Sequence, residues 1–189
     1  MIDNPDIAIW EALKQGDRES LGQLFRKYYE PLFRYGSKLT TQQPILEDCI
    51  QELFTELWQS KSKTEVRSVK AYLFKSLKYK LYRVLQQKTP AHLTEEQQEL
   101  LFELSHDDFL VDQEEQKEKA TRVLQALDKL SSRQKEIVYL KYYQELSYEE
   151  VTEVMNINYQ VARNLLYQSI KSLREMLATL GPLLLLMYH

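Results

Sequence analysis

Six side chains between residues 159 and 174 could read and hold DNA. At 100° per residue, Gln160, Arg163, Asn164, Tyr167, Lys171 and Arg174 fall within one arc of a helix. Ala162, Leu165, Leu166, Ser169, Leu173, Met176 and Leu177 fall on the opposite side. Arg, Asn, Gln and Lys suit base edges and phosphates, and Tyr159 sits beside them at the helix start. An exposed polar row with an apolar back is what a recognition helix needs. The same split also fits an ordinary helical hairpin with a solvated face.

The residues that must position this row lie just upstream. Ser147 and Glu150 stand at capping-box spacing, and Val151, Val154 and Met155 form the inner face of a short helix. Asn156-Ile157-Asn158 makes a tight turn, for which Asn tolerates the left-handed conformation. Asn158 is then placed to cap the recognition helix.

A second row lies over 67–87, predicted as one helix. Arg67, Lys75, Lys78, Tyr79 and Tyr82 oppose a stripe of Val69, Leu73, Leu77, Leu81 and Val84. Cations follow a nucleic-acid backbone and tyrosines stack on unpaired bases, so this face suits melted DNA. A solvated Lys-rich face with half-packed tyrosines would look the same. The preceding segment, with Lys61 and Lys63, is small, polar and basic and could line a pocket for an extruded base.

Charge is segregated. Residues 60–88 carry nine Lys or Arg and one acid, Glu65, whereas 89–120 carry ten acids against Lys117 and Lys119. The formal net charge of −3 therefore says little about partners. The basic block could meet nucleic acid, and the acidic block could be a tether or a mimic of nucleic-acid charge.

With four Gly and five Pro among 189 residues, and no strand-like alternation, the chain reads as all-α. Two small helical domains are predicted, over 1–88 and 113–180. An acidic linker over 89–112, with a short helix near Leu100–Leu104, joins them, and 181–189 form an apolar tail. Asn4-Pro5, Gly16-Asp17 and Gln43-Pro44 mark helix boundaries, and Pro31 should kink or interrupt the second helix. A polar loop is expected over Gln59–Glu65. Ser131 with Gln134 makes a further capping box. Cys49 stands alone in an apolar pattern, which points to a reducing compartment. No apolar signal segment opens the chain, and the run Leu183–Met187 is too short to span a bilayer. His92, His106 and His189 lack metal-ligand spacing; no catalytic constellation, metal site, cofactor or Gly-rich phosphate loop is legible. Neither an enzyme nor a small-molecule substrate is therefore expected.

The order of these motifs resembles bacterial RNA polymerase sigma factors of the extracytoplasmic-function (ECF) class, which keep only the second and fourth sigma domains. Gly16-Asp17, Leu24-Phe25 and Tyr28-Tyr29 resemble the opening helices. The run Glu47–Phe54 with Leu57-Trp58 resembles the helix that docks on the polymerase clamp; Asp48, Gln51 and Glu52 align with its docking residues. Lys70–Phe74 and Lys78 resemble the start of the promoter-melting helix. Leu127–Leu130, Arg133-Gln134, Tyr148–Val151, Asn158–Leu166 and Leu173-Arg174 resemble the fourth domain, with a Bacteroidetes-like recognition helix. Tyr79, Leu165 and Asn156 depart from the usual Asn, Arg and Gly.

The resemblance implies a cytoplasmic, non-enzymatic sigma factor directing transcription initiation. Its partners would be core RNA polymerase, duplex and melted promoter DNA, and an anti-sigma factor, in many cases membrane-bound. A helix-turn-helix regulator acting without polymerase, and an adaptor protein, remain alternatives at this point.

Overall fold

A computed structural model describes residues 5–60, 65–87, 102–104, 123 and 125–178. The chain divides into two compact units. The first holds α1 (Pro5–Lys14), α2 (Arg18–Gly36), α3 (Gln43–Ser60) and α4 (Val69–Gln87). After a helical stretch over 125–128 come α5 (Ser132–Val138), a π-helical turn (Tyr139–Tyr143), α6 (Tyr148–Met155) and α7 (Tyr159–Ala178). Among the described residues there is no strand, and no helix is long and apolar enough to cross a membrane.

In the first unit, α2 packs on α1, α3 and α4, and α3 packs on α4. Its core is Trp10, Leu13, Leu24, Leu32, Tyr35, Leu46, Ile50, Leu73, Phe74, Leu77 and Leu81, all nearly inaccessible. Burial of each such side chain is worth about 1.5–3 kcal/mol. Trp10 meets Tyr72 edge-on at 5.1 Å, and Tyr35 lies 5.0 Å from Phe74. Gly16, at φ 90°, ends α1, and Asp17 caps α2 through the backbone N–H groups of Glu19 and Ser20. Gly36 lets α2 approach α3, since a side chain there would collide with Leu46.

Two boundary expectations are corrected, and the interruption expected as one outcome at Pro31 does not occur. The second helix runs unbroken through Pro31. Proline removes the N–H that would bond the Lys27 carbonyl, but Lys27 is exposed and water can serve it, while Tyr28, Leu32 and Tyr35 hold both halves in the core. The third helix continues to Ser60, beyond the expected loop start at Gln59. The fourth begins at Val69, not Arg67, because Ser68 Oγ accepts from the Ala71 N–H as an unforeseen cap. Lys61, Lys63 and the apolar tail lie outside the described residues.

In the second unit α5 packs on α7. Leu127, Leu130, Ile137, Leu140, Leu146, Val151, Ala162 and Leu166 are buried. Ser131 and Gln134 form the expected capping box. The helix expected near Leu100–Leu104 is not formed over residues 102–104. Phe102 and Leu104 are buried while Glu103 is exposed, the alternation expected of extended chain.

Candidate nucleic-acid and polymerase interface

The recognition row is built from its caps outward. Glu150 accepts from the Ser147 N–H at 2.7 Å, and Ser147 Oγ accepts from the Glu150 N–H at 3.2 Å. Both halves of the capping box are thus made, fixing the start of α6. Asn156 adopts φ 52° in the turn. Asn158 Oδ1 accepts from the Val161 N–H at 2.9 Å, setting the start of α7.

Gln160, Arg163, Asn164, Tyr167, Lys171 and Arg174 are all exposed, and Ala162, Leu166 and Ser169 are buried behind them. Tyr159 is exposed and leans on Tyr148 with ring centres 5.6 Å apart. Lys141 in turn lies over the Tyr148 ring at 5.0 Å. Gln160 Nε2 donates to Asn164 Oδ1 at 3.0 Å, so the two amides orient each other one turn apart. Lys171 has a loose ion pair to Glu175, 3.9 Å away. The row offers donors and acceptors near a helix N-terminus, where base edges are reached, and cations further along, where phosphates lie.

The face on α4 is less uniform. Tyr79 is 53% exposed, whereas Lys75, Lys78 and Tyr82 are half-buried. Gln86 Nε2 donates to the Tyr82 hydroxyl. Arg67 is exposed but precedes the helix, so it does not belong to the helical row. Sequence reasoning passed over Arg83, which is exposed and lines an open groove of about 510 Å³ with Tyr72, Ser76, Tyr79 and Lys80 against Leu53, Glu56 and Leu57. Its signal was present: Arg83 lies one turn from Tyr79. Lys80 is half-buried and spent on α3, 2.6 Å from Glu56 and 3.6 Å from Glu52.

Asp48, Gln51 and Glu52 are exposed and share one arc of α3. Glu52 is tied to Lys80, which leaves Asp48 as the less engaged acid. Gln51 also lines a groove of about 620 Å³ with Arg18, Leu21, Phe25, Phe54, Thr55 and Trp58. Phe25 and Trp58 are 37% and 38% exposed there. Phe25 meets Phe54 edge-on at 5.1 Å. Behind this face, burial first and Glu52 second push the Cys49 thiol upward, so it stays protonated. No group of three or more potential metal ligands occurs among the described residues.

Two units carry, in order, a helix face suited to melted DNA and a helix-turn-helix suited to duplex, the organisation of a promoter-recognition protein. The sigma-70 region 2 family matches residues 24–90, and the sigma-70 region 4 family matches 120–173. The chain belongs to the sigma-70 family and is an alternative sigma factor, a DNA-binding protein of transcription initiation. A solved structure of CnrH in complex with the cytosolic domain of CnrY has a TM-score of 0.60 at 17% identity, covering 92% of this chain and 97% of that one. The sigma factor RpoE in complex with the anti-sigma factor NepR, from Bartonella quintana, has a TM-score of 0.55 at 19% identity, covering 83% and 96%. These likenesses show a shared fold. No curated protein matches the chain significantly.

Proposed function

We propose that this chain is a dissociable, non-enzymatic specificity subunit that docks on core RNA polymerase and reads two promoter elements. The observation that carries the proposal is the outward row on α7, capped and oriented as a recognition helix. Gln160, Arg163 and Asn164 read the duplex upstream element, with Tyr159 and Tyr167 beside them. Lys171 and Arg174 hold phosphates, which position without specifying. Lys75, Lys78, Tyr79 and Tyr82, with Arg67, Lys61 and Lys63 ahead of them, hold the melted downstream element. Asp48, Gln51 and Glu52 present acidic and amide groups to basic clamp helices.

In this reading the working divisions are 1–88, a linker over 89–112, 113–180 and a tail over 181–189. The acidic linker runs along basic channels of the polymerase. The protein works in the cytoplasm, and its recognition helix is of the Bacteroidetes type. An anti-sigma partner is supported by the complexes in which CnrH and RpoE were solved. Co-purification with core polymerase followed by transcription from a randomised promoter library tests the proposal. Retention of the chain and selection of two separated elements are expected. A folded chain that core polymerase does not retain would overturn it.

A further inference from the structure

Two amides on the exposed face of α7 meet at one place. Gln160 and Asn164 stand on adjacent turns, about 6 Å apart along the axis at 1.5 Å per residue. Gln160 Nε2 nevertheless lies 3.0 Å from Asn164 Oδ1 and donates to it, so the two heads come together. Both side chains are exposed. The helix beneath them is fixed at its start, where Asn158 Oδ1 accepts from the Val161 N–H at 2.9 Å, and at its back, where Ala162 and Leu166 are buried. Separate amides on a helix surface lose rotamer freedom when they meet DNA. A pair already bonded has lost part of it beforehand.

The bond also polarises the pair. Each amide spends one group on the other and keeps one. Gln160 keeps Oε1, an acceptor, and Asn164 keeps Nδ2, a donor. Turning both amides over exchanges the roles and still leaves one donor beside one acceptor. In the major groove adenine presents the N6 donor beside the N7 acceptor, guanine presents two acceptors, cytosine a donor, and thymine an acceptor with a methyl group. Adenine alone matches the pair. Guanine would set its O6 against Gln160 Oε1.

We infer that Gln160 and Asn164 form one composite reader of a single adenine in the upstream element. Gln160 Oε1 accepts from N6, and Asn164 Nδ2 donates to N7. The inference rests on the proposed reading of α7 as the duplex-reading helix. Two independent amides would instead specify two positions. A pair that only braces the helix, as Gln and Asn four residues apart can, would specify none. Arg163, whose donor fork suits guanine, is left to a neighbouring position.

Upstream preferences are selected from a promoter library with holoenzymes of the wild type, Gln160→Ala, Asn164→Ala and the double variant. Both positions are exposed and alanine favours helix, so the fold is kept. The wild type should favour adenine at one position by about 5- to 150-fold. Each single variant should relax that same position, and the double variant should lose little more than either alone, as coupled residues do. The selected promoter is then built with 7-deazaadenine there, which lacks the N7 acceptor. Wild-type holoenzyme should bind it about fivefold more weakly than the adenine promoter, whereas Asn164→Ala holoenzyme should not distinguish the two. Relaxation at two different positions, a shared position that prefers another base, or unchanged preference in both single variants would overturn the composite reader. So would an equal response of wild type and Asn164→Ala to 7-deazaadenine. Failure of the wild-type holoenzyme to select any upstream element would overturn the duplex-reading role of α7 itself, and the inference with it.

Discussion

Arg163 and Lys171 lie two turns apart on the same exposed face of α7, yet they should behave differently. Arg163 is near the helix N-terminus, where a recognition helix meets base edges. Arg163→Ala should cost about 1–3 kcal/mol on the selected upstream element and relax preference at one or two positions. Lys171→Ala should weaken binding to all sequences and reduce the salt slope by about one unit. Competition binding of the holoenzyme across salt concentrations separates the two, and identical behaviour would leave only a nonspecific basic surface. Asp17 gives a residue-scale prediction about pH. The Ser20 hydroxyl, ahead of the Ser20 and Glu19 backbone N–H groups, holds its carboxyl below the usual range. A depressed folded value means that this contribution is present above the unfolded pKa of about 3.9 and lost as pH falls through the folded value. Acid titration of Asp17→Asn, followed by circular dichroism, should lack that component. At this scale the sequence was most legible where a side chain bonds its own neighbourhood: Asn158, Ser147, Glu150 and Asp17 cap as their types and positions require.

Element boundaries were legible where a local cap decides them and obscure where packing does. Pro31 reads as a breaker, but burial on both sides of it carries the helix through. The π-turn over Tyr139–Tyr143 was not legible, because a single wider turn is too short to show as a period of its own. The packing of residues 102–104 was hidden for a related reason: three residues amid acids carry too short a pattern to distinguish from tether. The α4 face is the element whose role is tested most simply. Tyr79→Ala with Tyr82→Ala should weaken holding of the melted strand by about 1–3 kcal/mol per stacked base lost. Permanganate footprinting should then show less opening while upstream duplex binding persists; normal opening would assign both rings to packing. Ser147→Ala should cost the second unit about 1 kcal/mol by leaving the first turn of α6 uncapped, read as a lower thermal midpoint.

For the whole molecule, the order of two charge and aromatic patterns along the chain mattered more than either alone. A basic aromatic helix, an acidic stretch and a helix-turn-helix each have many look-alikes, but their succession matches the sigma-70 region 2 and region 4 families. The groove beside Gln51 was not legible, since Phe25 and Trp58 fit the periodicity of core residues and only the packed helices reveal them at the surface. The account's central claim is that a polymerase-docking surface and two DNA-reading surfaces act as one. Its most direct test is reconstituted transcription with core polymerase, comparing the wild type with a variant combining Asp48→Lys and Gln51→Ala. The wild type should start transcripts at one position downstream of two selected elements, and the helical variant should neither be retained by core nor start any. Undiminished, correctly placed initiation by that variant would contradict the proposed docking of this face on the polymerase.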